Sequence, residues 1–171
     1  MGKKERFGKV INENGALIFK VASLYTNSKQ DREDLYQEIV FQLWKSFDTF
    51  SEQAKLTTWM YRVALNTAIY YLKVSKRKVD TISLKKESEG IAEEIDRTEE
   101  ERIQLLYWHI QKLNLLDKGI ILLYLEGKSH QEIAAVIGIT VSNVGTRISR
   151  IREKLKSTTK EAREVYGQKQ N

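Results

Sequence analysis

Apolar residues recur along most of this chain at intervals of three and four, the spacing that gathers them on one side of an α-helix. From about Phe7 to Val74 the pattern runs on with two polar interruptions, one at Asn27-Ser28 and one between Asp48 and Lys55. Leu35, Ile39 and Leu43 fall on one side of the stretch Asp31 to Phe47, and Asp34, Gln37 and Glu38 form a polar, partly acidic edge on another. A polar loop then leads to Thr57 or Thr58 as the cap of a further helix, with Met60, Val63, Ala64, Thr67 and Tyr71 as its core face. Trp59, Arg62, Asn66, Tyr70 and Lys73 occupy the neighbouring face. The periodicity lapses between Ser75 and about Glu101, where a basic cluster (Lys73, Lys76, Arg77, Lys78, Lys85, Lys86) gives way to an acidic run ending at Glu99, Glu100 and Glu101. A stretch with so few large apolar side chains buries little and reads as a solvated linker. Helical spacing returns from about Arg102 to Leu125 and is most regular from Ser129 to Leu155. Proline is absent and strand-type alternation is scarce. The expected fold is therefore all-α: two small helical domains, 7–78 and 102–160, joined by a charged linker over 79–101.

The segment SHQEIAAVIGITVSNVGTRISRIREKL, Ser129 to Leu155, carries the strongest local signal. Ser129 can cap a helix, and Glu132 three residues later completes a capping box. Ile133, Ala134 and Ile137 share a face, and Gly138 stands where a tight turn needs positive φ. Thr140 can cap a second helix whose Val144, Ile148, Ile151 and Leu155 recur at four, three and four residues. Two short helices joined by a glycine turn make a helix-turn-helix. Away from its apolar stripe the second helix presents Ser142, Asn143, Thr146, Arg147, Ser149, Arg150 and Arg152. Hydroxyls, an amide and guanidinium groups suit phosphate oxygens and major-groove base edges. Gly145 runs against this pattern, since glycine inside a helix costs about 1 kcal/mol relative to alanine.

Composition narrows the classes of function. A formal charge of +6 and a pI near 9.4 favour an anionic partner, nucleic acid or membrane surface. The chain of 171 residues holds no cysteine and two histidines, His109 and His130, with no glycine-rich phosphate loop and no metal-ligand spacing. No catalytic role and no cofactor is expected. No apolar run approaches the length of a membrane span and the N-terminus lacks the apolar core of a secretory signal, so a cytoplasmic protein without membrane insertion is expected. The mixed face of Trp59, Arg62, Asn66, Tyr70 and Lys73 then gains meaning. Rings with interleaved cations hold unpaired bases, by stacking and by attraction to phosphate. Half-buried core aromatics are the plainer reading of Trp59 and Tyr70.

Taken together, the two halves resemble the extracytoplasmic-function (ECF) class of bacterial sigma factors. DLYQEIVFQLW is similar to the family's second conserved region, whose helix docks on the clamp helices of the largest subunit of core RNA polymerase. The resemblance implies that Asp34, Gln37 and Glu38 face that clamp. WMYRVALN resembles the tryptophan-led helix that engages the melted −10 element, which implies −10 contacts from Trp59, Arg62, Asn66, Tyr70 and Lys73. The loop from Asp48 to Leu56 corresponds to one that captures a flipped-out base. LNLLDKGIILLYLEGKSHQEIAAVIGITVSNVGTRISRIREKL resembles the fourth region, which reads the −35 element as duplex. Arg147 and Arg150 match its recurrent arginines, with Ser142, Asn143, Thr146 and Ser149 beside them. The resemblance implies core polymerase, promoter DNA and an anti-sigma factor as partners, and no cofactor. The chain departs from the family at Tyr70, where an aspartate is usual, at Asn114, where proline is frequent, and at Gly145, where lysine or arginine is common. The competing expectation is a stand-alone helix-turn-helix regulator that binds a two-fold duplex site without polymerase.

Overall fold

Residues 1–79 and 99–167 are described by the computed structural model, and among them every regular element is helical. Helix α1 spans Lys3–Tyr25 and α2 spans Lys29–Ser46; a 3₁₀ turn at Phe47–Thr49 leads into a loop, and α3 spans Leu56–Val79. In the C-terminal half, α4 spans Glu99–Gln111, α5 Leu115–Leu125, α6 His130–Ile137 and α7 Val141–Gly167. The expected linker over 79–101 lies outside the described residues except at its ends.

The N-terminal half is a three-helix unit in which α1, α2 and α3 each pack on the other two. Leu35, Ile39 and Leu43 of α2 are fully buried, as are Ile18 and Val21 of α1 and Met60 and Ala64 of α3. The break at Asn27-Ser28 falls where expected because Ser28 caps α2, its hydroxyl accepting the Asp31 amide at 3.1 Å. Helix α3 starts at Leu56, ahead of Thr57 and Thr58, so neither threonine stands outside the helix as its cap. Its buried set is also wider than one face. Tyr61, Leu65 and Ala68 are buried beside the expected Met60 and Ala64, whereas Val63, Thr67 and Tyr71 are only half-buried. The reason is tertiary: α5 and α6 pack on α3, so this helix is covered on two sides.

In the C-terminal half, helical spacing across Arg102 to Leu125 is interrupted at Lys112–Asn114. Asn114 caps α5, its amide oxygen accepting the Asp117 amide at 2.8 Å. Around α6 the expected local chemistry is all present. Ser129 and Glu132 close the reciprocal capping box, at 3.1 and 3.0 Å. Gly138 ends α6 at φ 81°, a left-handed conformation that a Cβ disfavours, and Thr140 Oγ1 accepts the Asn143 amide at 3.1 Å. Ile133 and Val136 of α6 and Val144, Ile148 and Ile151 of α7 are buried between α5, α6 and α7.

Gly145 sits inside α7 with no positive φ, and a Cβ built there meets only the His130 ring, at 3.7 and 3.8 Å. Ordinary van der Waals contact leaves room for a methyl group. Gly145→Ala is therefore expected to stabilise the chain by about 1 kcal/mol, the helix-interior difference between the two residues. A urea midpoint that fails to rise would show that the His130 ring cannot accommodate even this addition.

Candidate polymerase and nucleic-acid interfaces

The exposed side of α2 is set by the burial of the other. With Leu35, Ile39 and Leu43 inward, Asp34 and Gln37 are exposed and Glu38 is half-buried, accepting the Gln42 side-chain amide at 2.9 Å. Phe41, 53% exposed, lies on the same helical face at seven residues from Asp34. The Lys45 ammonium stands 5.5 Å from the centre of its ring. So large an exposed ring among charges is the feature that residue type alone did not single out. Its spacing from Asp34, Gln37 and Glu38 was the available signal.

Helix α3 divides the second group of expected site residues. Asn66, Tyr70 and Lys73 are exposed, Tyr70 by 71%. Asn66 and Tyr70 line an open groove of about 530 Å³ with Glu38 and Gln42 of α2 and Tyr71. Burial raises the Tyr71 hydroxyl above its ordinary pKa, and the nearby charges of Asp31, Asp34 and Glu38 raise it further. Trp59 is placed differently. Its ring is half-buried, 5.1 Å from the ring of Phe50 and 6.3 Å from that of Phe47, so it props the loop between α2 and α3. The plainer reading thus fits Trp59 and does not fit Tyr70. Arg62 is exposed as well, and its Nη2 donates to the Ala135 carbonyl of α6 at 2.7 Å.

The third group lies on α7. Ser142, Asn143, Thr146, Ser149, Arg150 and Arg152 are exposed, outside the buried stripe of Val144, Ile148 and Ile151. Arg147 is separated from them. Its Nη1 pairs with Asp117 Oδ1 at 2.9 Å, and Asp117 is itself held by the Asn114 side chain, whose Nδ2 donates to Oδ2 at 2.8 Å. The two side chains are 32% and 17% exposed, so the pair is sheltered from solvent. An arginine held this way ties α7 to the first turn of α5, a role invisible at a distance of thirty residues in sequence.

His109 of α4 is buried, with its ring edge-on to Trp108, and neither ring nitrogen has a hydrogen-bond partner among the described residues. Burial, and then the Lys112 charge, lower its pKa below the ordinary 6.5. The sign follows: above 6.5 the ring is neutral whether the chain is folded or not, and below it the unfolded chain takes up a proton that the folded one resists. This stabilising contribution is present above 6.5 and is lost as pH falls from there. The denaturation midpoint of the native chain should accordingly drop more between pH 7.5 and 5.5 than that of His109→Leu. Equal drops would remove the assignment.

Among the described residues no group of carboxylates and histidines is placed to hold a metal ion, and no helix is long and apolar enough to cross a membrane. Residues 10–78 match the family Sigma-70 region 2, and residues 109–155 match Sigma-70, region 4. The chain is 36% identical over 148 residues to the ECF RNA polymerase sigma-E factor of Escherichia coli (strain K12), covering 78% of each protein. It is 29% identical over 152 residues to the ECF RNA polymerase sigma-E factor of Haemophilus influenzae, covering 81% of this chain and 80% of that one. Among solved structures it resembles the sigma factor RpoE in complex with the anti-sigma factor NepR from Bartonella quintana, with a TM-score of 0.74 and 20% identity over 91% of this chain and 98% of that one. A second likeness is to CnrH in complex with the cytosolic domain of CnrY, with a TM-score of 0.66, 22% identity, and coverage of 94% and 91%. Both likenesses concern the fold.

Proposed function

The chain belongs to the ECF class of RNA polymerase sigma factors, and on that premise we propose which of its side chains carry each part of the task. Residues 7–78 form the polymerase-binding and −10 domain, 102–160 the −35 domain, and the linker spans the polymerase between them. Asp34, Gln37 and Glu38 meet the clamp helices of the largest subunit, with Phe41 supplying the apolar anchor that a ring of charges alone lacks. Asn66, Tyr70 and Lys73 track the melted −10 strand from the exposed side of α3, joined by Arg62, while Trp59 holds the capture loop in shape through Phe50. Ser142, Asn143, Thr146, Ser149 and Arg150 enter the major groove at the −35 element. Arg147 enters this reading as the residue that fixes the angle of α7.

The observation that carries the proposal is the pairing of two surfaces in one chain: an exposed polar α2 face next to an aromatic, cationic α3, and a capped helix-turn-helix with an open recognition face. A stand-alone regulator has use for the second and none for the first. Opening DNA costs about 1.4 kcal/mol per stacked step. Bases held on protein surfaces return about 1–3 kcal/mol each, so a few captured bases offset a short bubble. Sigma factors are in general not enzymes, and the polymerase performs the chemistry. An anti-sigma factor is proposed as the controlling partner, and the cytoplasm as the place of action.

The test is run-off transcription by bacterial core polymerase with the purified chain, on a library of candidate promoters. Promoter-specific transcripts that depend on the chain are expected. Duplex binding by the chain alone, with no association with core polymerase, would replace this reading by the stand-alone regulator.

A further inference from the structure

The start of α1 meets the start of the loop between α2 and α3 through two side chains one helical turn apart, Lys3 and Phe7. The buried Phe7 ring lies edge-on to Trp44, at 5.1 Å between ring centres, and edge-on to Phe47 at 5.3 Å. The Lys3 ammonium stands 4.4 Å from the centre of the Trp44 ring and donates to Asp48 Oδ2. Trp44 and Asp48 are themselves four residues apart, so the two pairs mesh. Ring contact then passes from Phe47 to Trp59 at 6.3 Å and from Trp59 to Phe50 at 5.1 Å. A continuous run of aromatic side chains thus joins α1 to the end of α2, the 3₁₀ turn Phe47–Thr49, the loop and the first turn of α3.

Beyond Phe50 the loop has little burial to fix it. Residues 51–55 are exposed, and their turn is closed by a backbone bond from the Ala54 amide to the Ser51 carbonyl at 3.3 Å. A segment with so few buried contacts takes its orientation from its anchors. Those anchors are the half-buried rings of Phe47 and Phe50 and the Asp48 carboxylate held by Lys3. A single exposed ion pair is weak, but Lys3 is half-buried and its cation also gains the attraction of the Trp44 ring. The two contacts together favour the seated turn over the released one by about 3- to 30-fold.

We propose that Lys3, seated by Phe7, is a positioning residue for promoter opening: it holds the Phe47–Thr49 turn so that the loop after it is oriented to receive an unstacked base. The proposal rests on the assignment of that loop to base capture made above. It gives α1 a part in opening that no contact of α1 with DNA would supply. Lys3 acts through Trp44 and Asp48, and the charge it brings is spent inside the chain.

The experiment compares run-off transcription by the full chain with core polymerase on two templates, a duplex promoter and the same promoter with a mismatched, premelted −10 element. On the premelted template the bubble exists before capture, so its yield reports folding and polymerase binding. The ratio of duplex to premelted yield reports capture. Lys3→Gln should lower that ratio about 3- to 30-fold, and Lys3→Arg, which keeps the charge, should keep the native ratio. Lys3→Gln combined with Asp48→Asn should lower it no further than Lys3→Gln alone, because both remove the same contact. A native ratio in Lys3→Gln would overturn the proposal, and so would equal losses on both templates, which mark a merely structural role. Replacing the exposed loop (Ser51→Gly, Glu52→Gly, Gln53→Gly and Ala54→Gly together) separates the two ideas. If the glycine loop lowers the ratio while Lys3→Gln does not, base capture stands and positioning by Lys3 falls. If neither lowers it, the assignment of the loop to base capture has itself failed.

Discussion

Replacing Arg150 with alanine is expected to reduce run-off transcription from a −35-dependent promoter about 5- to 150-fold, with affinity for core polymerase unchanged. The range is the 1–3 kcal/mol that a good bidentate contact to a base contributes. Arg150 is exposed on α7, between the exposed Ser149 and the buried Ile151. A promoter without a −35 element should lose little. Arg147→Ala should behave differently, because Arg147 is held by Asp117 at 2.9 Å. Its removal leaves a sheltered carboxylate short of its cation and should lower the urea midpoint as well as transcription. If Arg150→Ala lowers transcription only in step with lost folding, or lowers it equally on both promoters, then α7 is not the −35 reader. If Arg147→Ala leaves stability untouched, its place in the list of base contacts is restored.

Ile39→Ala is expected to destabilise the chain by about 2–5 kcal/mol, the usual range for truncating a fully buried aliphatic residue to alanine. Ile39 is 0% exposed at the middle of α2, between Leu35 and Leu43, in the three-helix packing of α1, α2 and α3. The surrounding helices are tied by short connections, so the site has little freedom to collapse around the missing atoms. The effect should reach function too, since Asp34, Gln37, Glu38 and Phe41 hold their positions only while α2 is seated. Chemical denaturation reads the first part and a core-polymerase binding assay the second. A loss below about 1 kcal/mol would mean that the packing of α2 relaxes far more readily than its burial suggests.

Local chemistry explains how much could be read in advance. A capping box, a positive-φ glycine and a threonine cap depend on neighbours three residues away, so Ser129, Glu132, Gly138 and Thr140 were legible from their order alone. The same holds for the inward set Leu35, Ile39 and Leu43, which the helical repeat places together whatever the rest of the chain does. The start of α3 ahead of Thr57 and the break before α5 were less legible. Several polar residues compete for each cap, and the surrounding packing selects among them.

The sequence by itself determined the helical class, the helix-turn-helix and the residue types offered to polymerase and DNA, because each follows from periodicity and short-range hydrogen bonding. Tertiary structure alone decided which of those residues are at liberty. Arg147 and Arg150 are equivalent in sequence terms, yet one meets Asp117 of α5 and the other projects from α7. Arg62 and Lys73 share a face of α3 and both are exposed, yet Arg62 is tied to α6 through the Ala135 carbonyl. The physical reason is common to both cases: a side chain's availability is set by what lies within a few ångströms of its end, and in this fold those neighbours come from helices distant in the chain.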